Sequence, residues 1–92
     1  MAPLDDAEIE ERLRRLSGWE RSGAEIRKSF KRGDFSGAVE FASQLVEPAN
    51  EMDHHPDLEI SWDTVTVRLS THSEGSLTAA DFELAEQIDA LA

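Results

Sequence analysis

Leu58-Glu59-Ile60-Ser61-Trp62-Asp63-Thr64-Val65-Thr66-Val67-Arg68-Leu69-Ser70 alternates apolar and polar residues but changes phase midway. Ile60 and Trp62 fall on one parity; Val65, Val67 and Leu69 fall on the other. Strand side chains alternate between faces, so a phase flip inside one run marks a chain that has turned back on itself. The pattern predicts two antiparallel strands joined at Asp63-Thr64, with both apolar sets facing one core. Asp-Thr is not a favoured turn pair, and a bulge at that point is the alternative.

The flanking segments read as helices. Asp34 can cap a helix in which Phe35, Ala38, Val39, Ala42, Leu45, Val46 and Ala49 follow helical spacing, the strongest periodicity in the chain. Pro48 sits late in that run. It lacks an N–H and crowds the carbonyl of Gln44, which predicts a kink or early unwinding. Pro56 marks the outer limit of any continuation. Beyond the hairpin, Gly75 and Ser76 break the chain, and Thr78-Ala79-Ala80-Asp81 reads as a capping box opening a last helix. Leu84, Ala85, Ile88 and Leu91 supply its apolar face.

Further towards the N-terminus, Asp5 with Glu8 can cap a helix over residues 5–16, striped by Ile9, Leu13 and Leu16 and ended by Ser17-Gly18. Trp19 to Phe30 reads as two short strands around Ser22-Gly23, with Ile26, Lys28 and Phe30 on one face. Trp19 reads as core or interface. The basic cluster Arg27, Lys28, Lys31 and Arg32 reads as a solvated strand edge that discourages aggregation, with an anion or partner contact as the alternative. The order is helix, strand, strand, helix, strand, strand, helix. That is an α+β layout: a four-stranded antiparallel sheet with three helices packed on one face. The other face is half exposed or used for association.

Composition bounds the function. Ninety-two residues, 39% of them hydrophobic, point to a single domain spanning residues 1–92. No run approaches the roughly 18 apolar residues of a membrane span. Met1 to Asp6 is acidic and has no apolar core of a secretory signal. There is no cysteine, hence no disulfide framework, zinc-thiolate site or thiol chemistry. Together these features predict a cytoplasmic protein. Twenty acidic against nine basic residues give a formal charge of −11, a field that repels phosphate backbones and argues against direct nucleic-acid binding.

Three histidines carry the chemistry. Two lie in Asp53-His54-His55-Pro56, and His72 follows the strand of Val65, Val67 and Leu69. A hairpin turning at 63–64 pairs 54–60 roughly with 66–72, which returns His72 to the side of His54 and His55. Imidazoles titrate near neutrality, so such a cluster can hold one protonated and one neutral ring, a general acid beside a general base. Asp53 and Asp81 are carboxylates placed to orient a ring, although Asp81 is also simply the third-position partner of the Thr78 cap. A purely structural cluster and a three-histidine zinc site remain open, the latter without metal-specific spacing. Nucleophilic catalysis is disfavoured: no serine sits in a nucleophile elbow, and no glycine-rich phosphate loop occurs. Trp62 reads as a core aromatic rather than a ligand wall.

These residues also form a pattern. Glu51-Met52-Asp53-His54-His55-Pro56, then Trp62, then Ser70-Thr71-His72, then Asp81, resembles the pterin-4a-carbinolamine dehydratase family. Gly18-Trp19 and Phe30-Lys31 followed by Asp34-Phe35 resemble its N-terminal half. The resemblance implies dehydration of 4a-hydroxytetrahydropterin to quinonoid dihydropterin, on a sheet-and-three-helix fold. It implies His54 and His72 as the acid–base pair, with His55 orienting the pterin. Asp53, Pro56, Ser70 and Thr71 would lie at the substrate, and Asp81, Glu51 and Trp62 would support the site. No metal or organic cofactor is implied. Partners would be the pterin, other copies in a homodimer or homotetramer, and in some relatives a further protein. Two departures stand out. Asn50 occupies a position where the family usually carries an acid, for which Glu51 could substitute, and Pro48 interrupts a helix that is normally continuous. A non-catalytic assembly or dimerisation module is the alternative function.

Overall fold

The computed structural model describes residues 2–92. Strands β3 (Asp57–Ser61) and β4 (Thr64–Leu69) form the hairpin that the phase flip predicts. The turn is Trp62-Asp63, one residue earlier than expected, because Ser61 pairs with Thr64. Ile60 then lies opposite Val65 and Leu58 opposite Val67, so both apolar sets do share a face. Their burial differs. Val65, Val67 and Leu69 are fully buried, whereas every residue of β3 is exposed. The reason is position: the sheet order is β1-β2-β4-β3, which puts β4 inside and β3 at an edge.

The other hairpin joins β1 (Glu20–Ser22) to β2 (Glu25–Lys31), with Ser22 opposite Glu25 and the turn at Gly23-Ala24. β2 then pairs antiparallel with β4 from Ile26↔Leu69 to Lys31↔Thr64. This central pair supplies the floor of the core through Ile26, Phe30, Val65, Val67 and Leu69.

Helix α1 (Asp6–Arg14) opens on the expected Asp5–Glu8 capping box. The middle helix is broken into α2 (Phe35–Gln44) and α3 (Val46–Met52). The break falls at Leu45, three residues ahead of Pro48. Without an N–H at Pro48 the Gln44 carbonyl has no partner one turn on, and the ring crowds it. The chain tightens instead, and the Leu45 N–H bonds the Ala42 carbonyl at 3.1 Å. A short 3₁₀ turn (His72–Glu74) leads to α4 (Ala79–Leu91), whose Thr78–Asp81 capping box is present.

The aromatic core runs from Trp19 edge-on to Phe30, at 6.1 Å between centroids, to Phe41 at 5.0 Å. Asp89 of α4 anchors its rim, accepting from Trp19 Nε1 at 3.0 Å and Lys28 Nζ at 2.8 Å. Part of the basic cluster is therefore committed inside the fold. Lys28 also bonds the Ser17 carbonyl at 2.7 Å, and the Arg32 guanidinium lies 4.7 Å from the centre of the Phe41 ring.

The start of α2 yields a prediction that runs against helix propensity. A Cβ added at Gly37 would lie 2.3 Å from the Arg32 carbonyl oxygen, a backbone atom that cannot swing away. Propensity alone favours alanine over glycine by about 1 kcal/mol. Gly37→Ala should instead destabilise, seen as a lower urea midpoint with an unchanged slope.

Candidate active site

The site is assembled where α3 ends, β3 begins and β4 leads into α4. Asp53 closes α3 in a left-handed conformation, φ +48°, which Asp tolerates better than most residues. The reversal sends the His54 N–H back to the Ala49 carbonyl at 3.0 Å and points the chain into β3. Asp53 is itself exposed, and its part here is the backbone turn.

His54 leans into the protein, its side chain 13% exposed, and its Nε2 lies 2.6 Å from Oδ1 of Asp81, which is fully buried. The other Asp81 oxygen accepts from Thr71 Oγ1 at 2.8 Å and from the Thr78 N–H at 3.0 Å. Because the Thr71 proton is used on Asp81, the Thr78 hydroxyl donates to Thr71 Oγ1, 2.8 Å away, and Thr78 Oγ1 accepts from the Ala80 N–H at 3.3 Å. One directed chain of donors therefore converges on a carboxylate that holds a histidine. The helix cap and the histidine support are the same group, so both readings of Asp81 hold.

His72 stands outside this network, with its side chain 75% exposed. Its Nε2 is 3.7 Å from Oδ2 of Asp57, the first residue of β3. The loop carrying it is pinned by the two-way Thr71–Ser76 bridge. His55 points elsewhere: Nε2 lies 3.0 Å from Asn50 Oδ1. An amide oxygen only accepts, so Nε2 carries the proton. His55 and Asn50 form the polar lip of a hollow of about 180 Å³ whose walls include Val46, Ala49, Pro56 and Leu58.

His54, Asp81 and Thr71 are thus linked at one end of the sheet; His72 lies at the same end beside Asp57, and His55 with Asn50 and Pro56 is close to His54 in the chain. Three expected residues do not join. Ser70 donates its hydroxyl to the Ala24 carbonyl at 2.7 Å, tying β4 to the β1–β2 turn. Glu51 lines a different groove, between α3 and α4 with Gln44, Glu47 and Gln87, so Asn50 and not Glu51 reaches a histidine. Trp62 is 68% exposed at the far tip of the hairpin, about 17 Å of strand from the site, because its turn lies beyond the covering helices. It is neither a core residue nor a neighbour of its own histidines.

Sequence reasoning missed Asp57, and it read Thr78 only as a helix cap without its bond to Thr71. The strand register could have found Asp57, which pairs with Arg68 and so lies just before His72 in the returning chain. Among the described residues no three His, Asp or Glu side chains converge as a metal site requires.

Removing the Asp81 carboxylate leaves three buried or half-buried donors without an acceptor. Asp81→Ala should cost on the order of 3 kcal/mol in urea denaturation. His72→Ala, on an exposed ring, should stay within about 0.5 kcal/mol of the parent.

Known proteins resemble this chain over nearly its whole length. The family model described as pterin 4 alpha carbinolamine dehydratase matches residues 2–91. A curated relative from Roseiflexus castenholzii, which bears the name of the same dehydratase, is 52% identical over 88 residues, covering 96% of this chain and 95% of its own. A crystal structure of a transcriptional coactivator/pterin dehydratase from Brucella melitensis superposes with a TM-score of 0.94 at 38% identity, covering 99% of both chains. A pterin dehydratase-like protein described as a RuBisCO assembly factor of the alpha-carboxysome superposes at 0.65 with 23% identity over 80% of this chain and 86% of its own, a likeness of fold. With its fold, its matched length and these identities, the chain belongs to the pterin-4a-carbinolamine dehydratase family, a family of hydro-lyases.

Proposed function

We propose that residues 1–92 act as one catalytic domain that converts 4a-hydroxytetrahydropterin to quinonoid dihydropterin and water by histidine acid–base catalysis. The observation that carries this is the His54–Asp81 contact of 2.6 Å, set beside an exposed His72 at the same end of the sheet. A carboxylate bonded to Nε2 holds that nitrogen protonated, so neutral His54 carries its lone pair on Nδ1 and serves as the base. A buried acid orienting a histidine in this way is a recurrent catalytic arrangement. His72, near the Asp57 carboxylate, serves as the acid.

The step balances without any cofactor. The C4a–O bond breaks as His72 gives a proton to the departing hydroxyl, which leaves as water. His54 takes the proton from the adjacent ring nitrogen, whose electron pair forms the new double bond to C4a. His55, fixed by Asn50, binds and orients the ring, with Pro56 and the Asp53 turn alongside. The absence of cysteine suits a reducing cytoplasm.

A second reading, a non-catalytic assembly module, is favoured by Asn50, which stands where the resemblance leads one to expect an acid. Turnover separates the two. Formation of quinonoid dihydropterin should exceed the spontaneous rate, and its absence in folded protein would sink the first reading. His54→Ala and His72→Ala should each lose roughly 10²- to 10⁴-fold in rate. Circular dichroism of the His72 variant should stay that of the parent.

A further inference from the structure

The resemblance puts Thr71 at the substrate, yet the structure turns its side chain inward. Thr71 is 8% exposed, and its hydroxyl is engaged on both sides within the protein. It donates to Asp81 Oδ2 at 2.8 Å, and its oxygen accepts from the Thr78 hydroxyl at 2.8 Å. A hydroxyl so engaged has little to offer a pterin. What it does supply is a hydrogen bond to a carboxylate that has no surface of its own.

That bond matters because Asp81 has few other means of holding a charge. Among the described residues its one ion-pair partner is His54. Residues 34–92 contain a single basic side chain apart from histidine, Arg68, and it is turned to Glu25 and Glu59. The titratable groups on the elements that meet here are Asp53 and His55 after α3, Asp57 on β3, His72 and Glu74 on the 3₁₀ turn, and Glu83 on α4. All are exposed, so solvent screens them from the buried carboxylate. The charge on Asp81 therefore rests on the Thr71 hydroxyl, the Thr78 N–H and the positive end of α4.

The His54–Asp81 pair can hold one exchangeable proton or two. With one, the proton sits on Nε2, 2.6 Å from Asp81 Oδ1, the carboxylate is ionised and Nδ1 is bare. With two, Nδ1 is occupied as well and His54 can accept nothing. Burial works against the ionised carboxylate, and each hydrogen bond donated to it works for it. A hydrogen bond to a charged group is worth roughly ten- to a hundredfold in such a distribution. We propose that Thr71 is a positioning residue whose hydroxyl, bonded to Asp81 and backed by Thr78, keeps Nδ1 of His54 free to take a proton. That role rests on the reading of His54 as the base, and it moves Thr71 away from the substrate. Thr71 touches neither the pterin nor the reacting atoms; it acts through Asp81. Thr78 acts one step further back. By donating to Thr71 Oγ1 it fixes the rotor of that hydroxyl, so the Thr71 proton points at Asp81.

Thr71→Val keeps the branched shape and removes the hydroxyl. Its kcat near neutral pH should fall roughly ten- to a hundredfold with KM unchanged. The rate should recover as pH rises, because losing a donor to the ionised carboxylate moves the pair towards its two-proton form. Thr71→Ser, which returns the hydroxyl, should recover most of kcat. Nitrogen-15 NMR of the His54 ring reads the same equilibrium without turnover. Near neutrality the parent should show Nε2 protonated and Nδ1 bare, and Thr71→Val should show Nδ1 protonated. If Thr71→Val does not fold, Thr71→Cys, a weaker donor, should show the same shift in smaller measure. An inactive parent whose ring still responds in this way supports the role of Thr71 and sinks the dehydratase reading alone. A parent with Nδ1 protonated near neutrality overturns the proposal. So does a folded Thr71→Val whose Nδ1 stays bare, or one that raises KM while keeping kcat.

Discussion

Asp81 has no exposed surface, yet three separate parts of the chain donate hydrogen bonds to it. A buried carboxylate is costly to desolvate and persists only where its lone pairs are matched. Here they are matched by His54 at the end of the broken helix, by Thr71 at the end of β4, and by the first turn of α4. The group that starts the last helix therefore also decides where the chain between α3 and β3 must run. Removing any one donor would not simply weaken a contact; it would free the segment that carries it.

This arrangement gives three histidines three different environments. His54 is held from inside the protein and nearly excluded from water. His72 sits on a short pinned loop in solvent, facing a carboxylate at a looser distance. His55 is bound to a neutral amide, which fixes which ring nitrogen bears the proton without adding a charge. The proposed exchange of one proton for another needs unlike partners of this kind, and the fold brings His54 and His72 to the same end of the sheet although the whole β3–β4 hairpin separates them in sequence.

The close of the middle helix serves the same end. Pro48 accounts for the break at Leu45, and the shorter α3 then ends at Asp53 in a left-handed turn. That turn takes the chain off the helix axis and lets the Asn50 side chain, near the end of α3, meet His55.

Much of this was legible without coordinates. Period-two and helical spacing, three caps at Asp5, Asp34 and Thr78, and the phase flip near Asp63 determine the element order, because each rests on local steric and hydrogen-bonding rules. The same flip determined that His72 returns to His54 and His55. What periodicity cannot supply is which strand becomes an edge. β3 and β4 are both half apolar, and only the sheet order buries Val65 and Val67 while leaving Leu58, Ile60 and Trp62 in solvent. Nor can it tell a polar residue in a motif from one in the site. Ser70 and Thr71 are adjacent just past the end of β4, yet one reaches the Ala24 carbonyl and the other reaches Asp81. The sequence by itself determined the elements and the gathering of the histidines; the tertiary structure alone decided their partners, because a partner is chosen by the direction and burial of a side chain, which depend on every element packed around it.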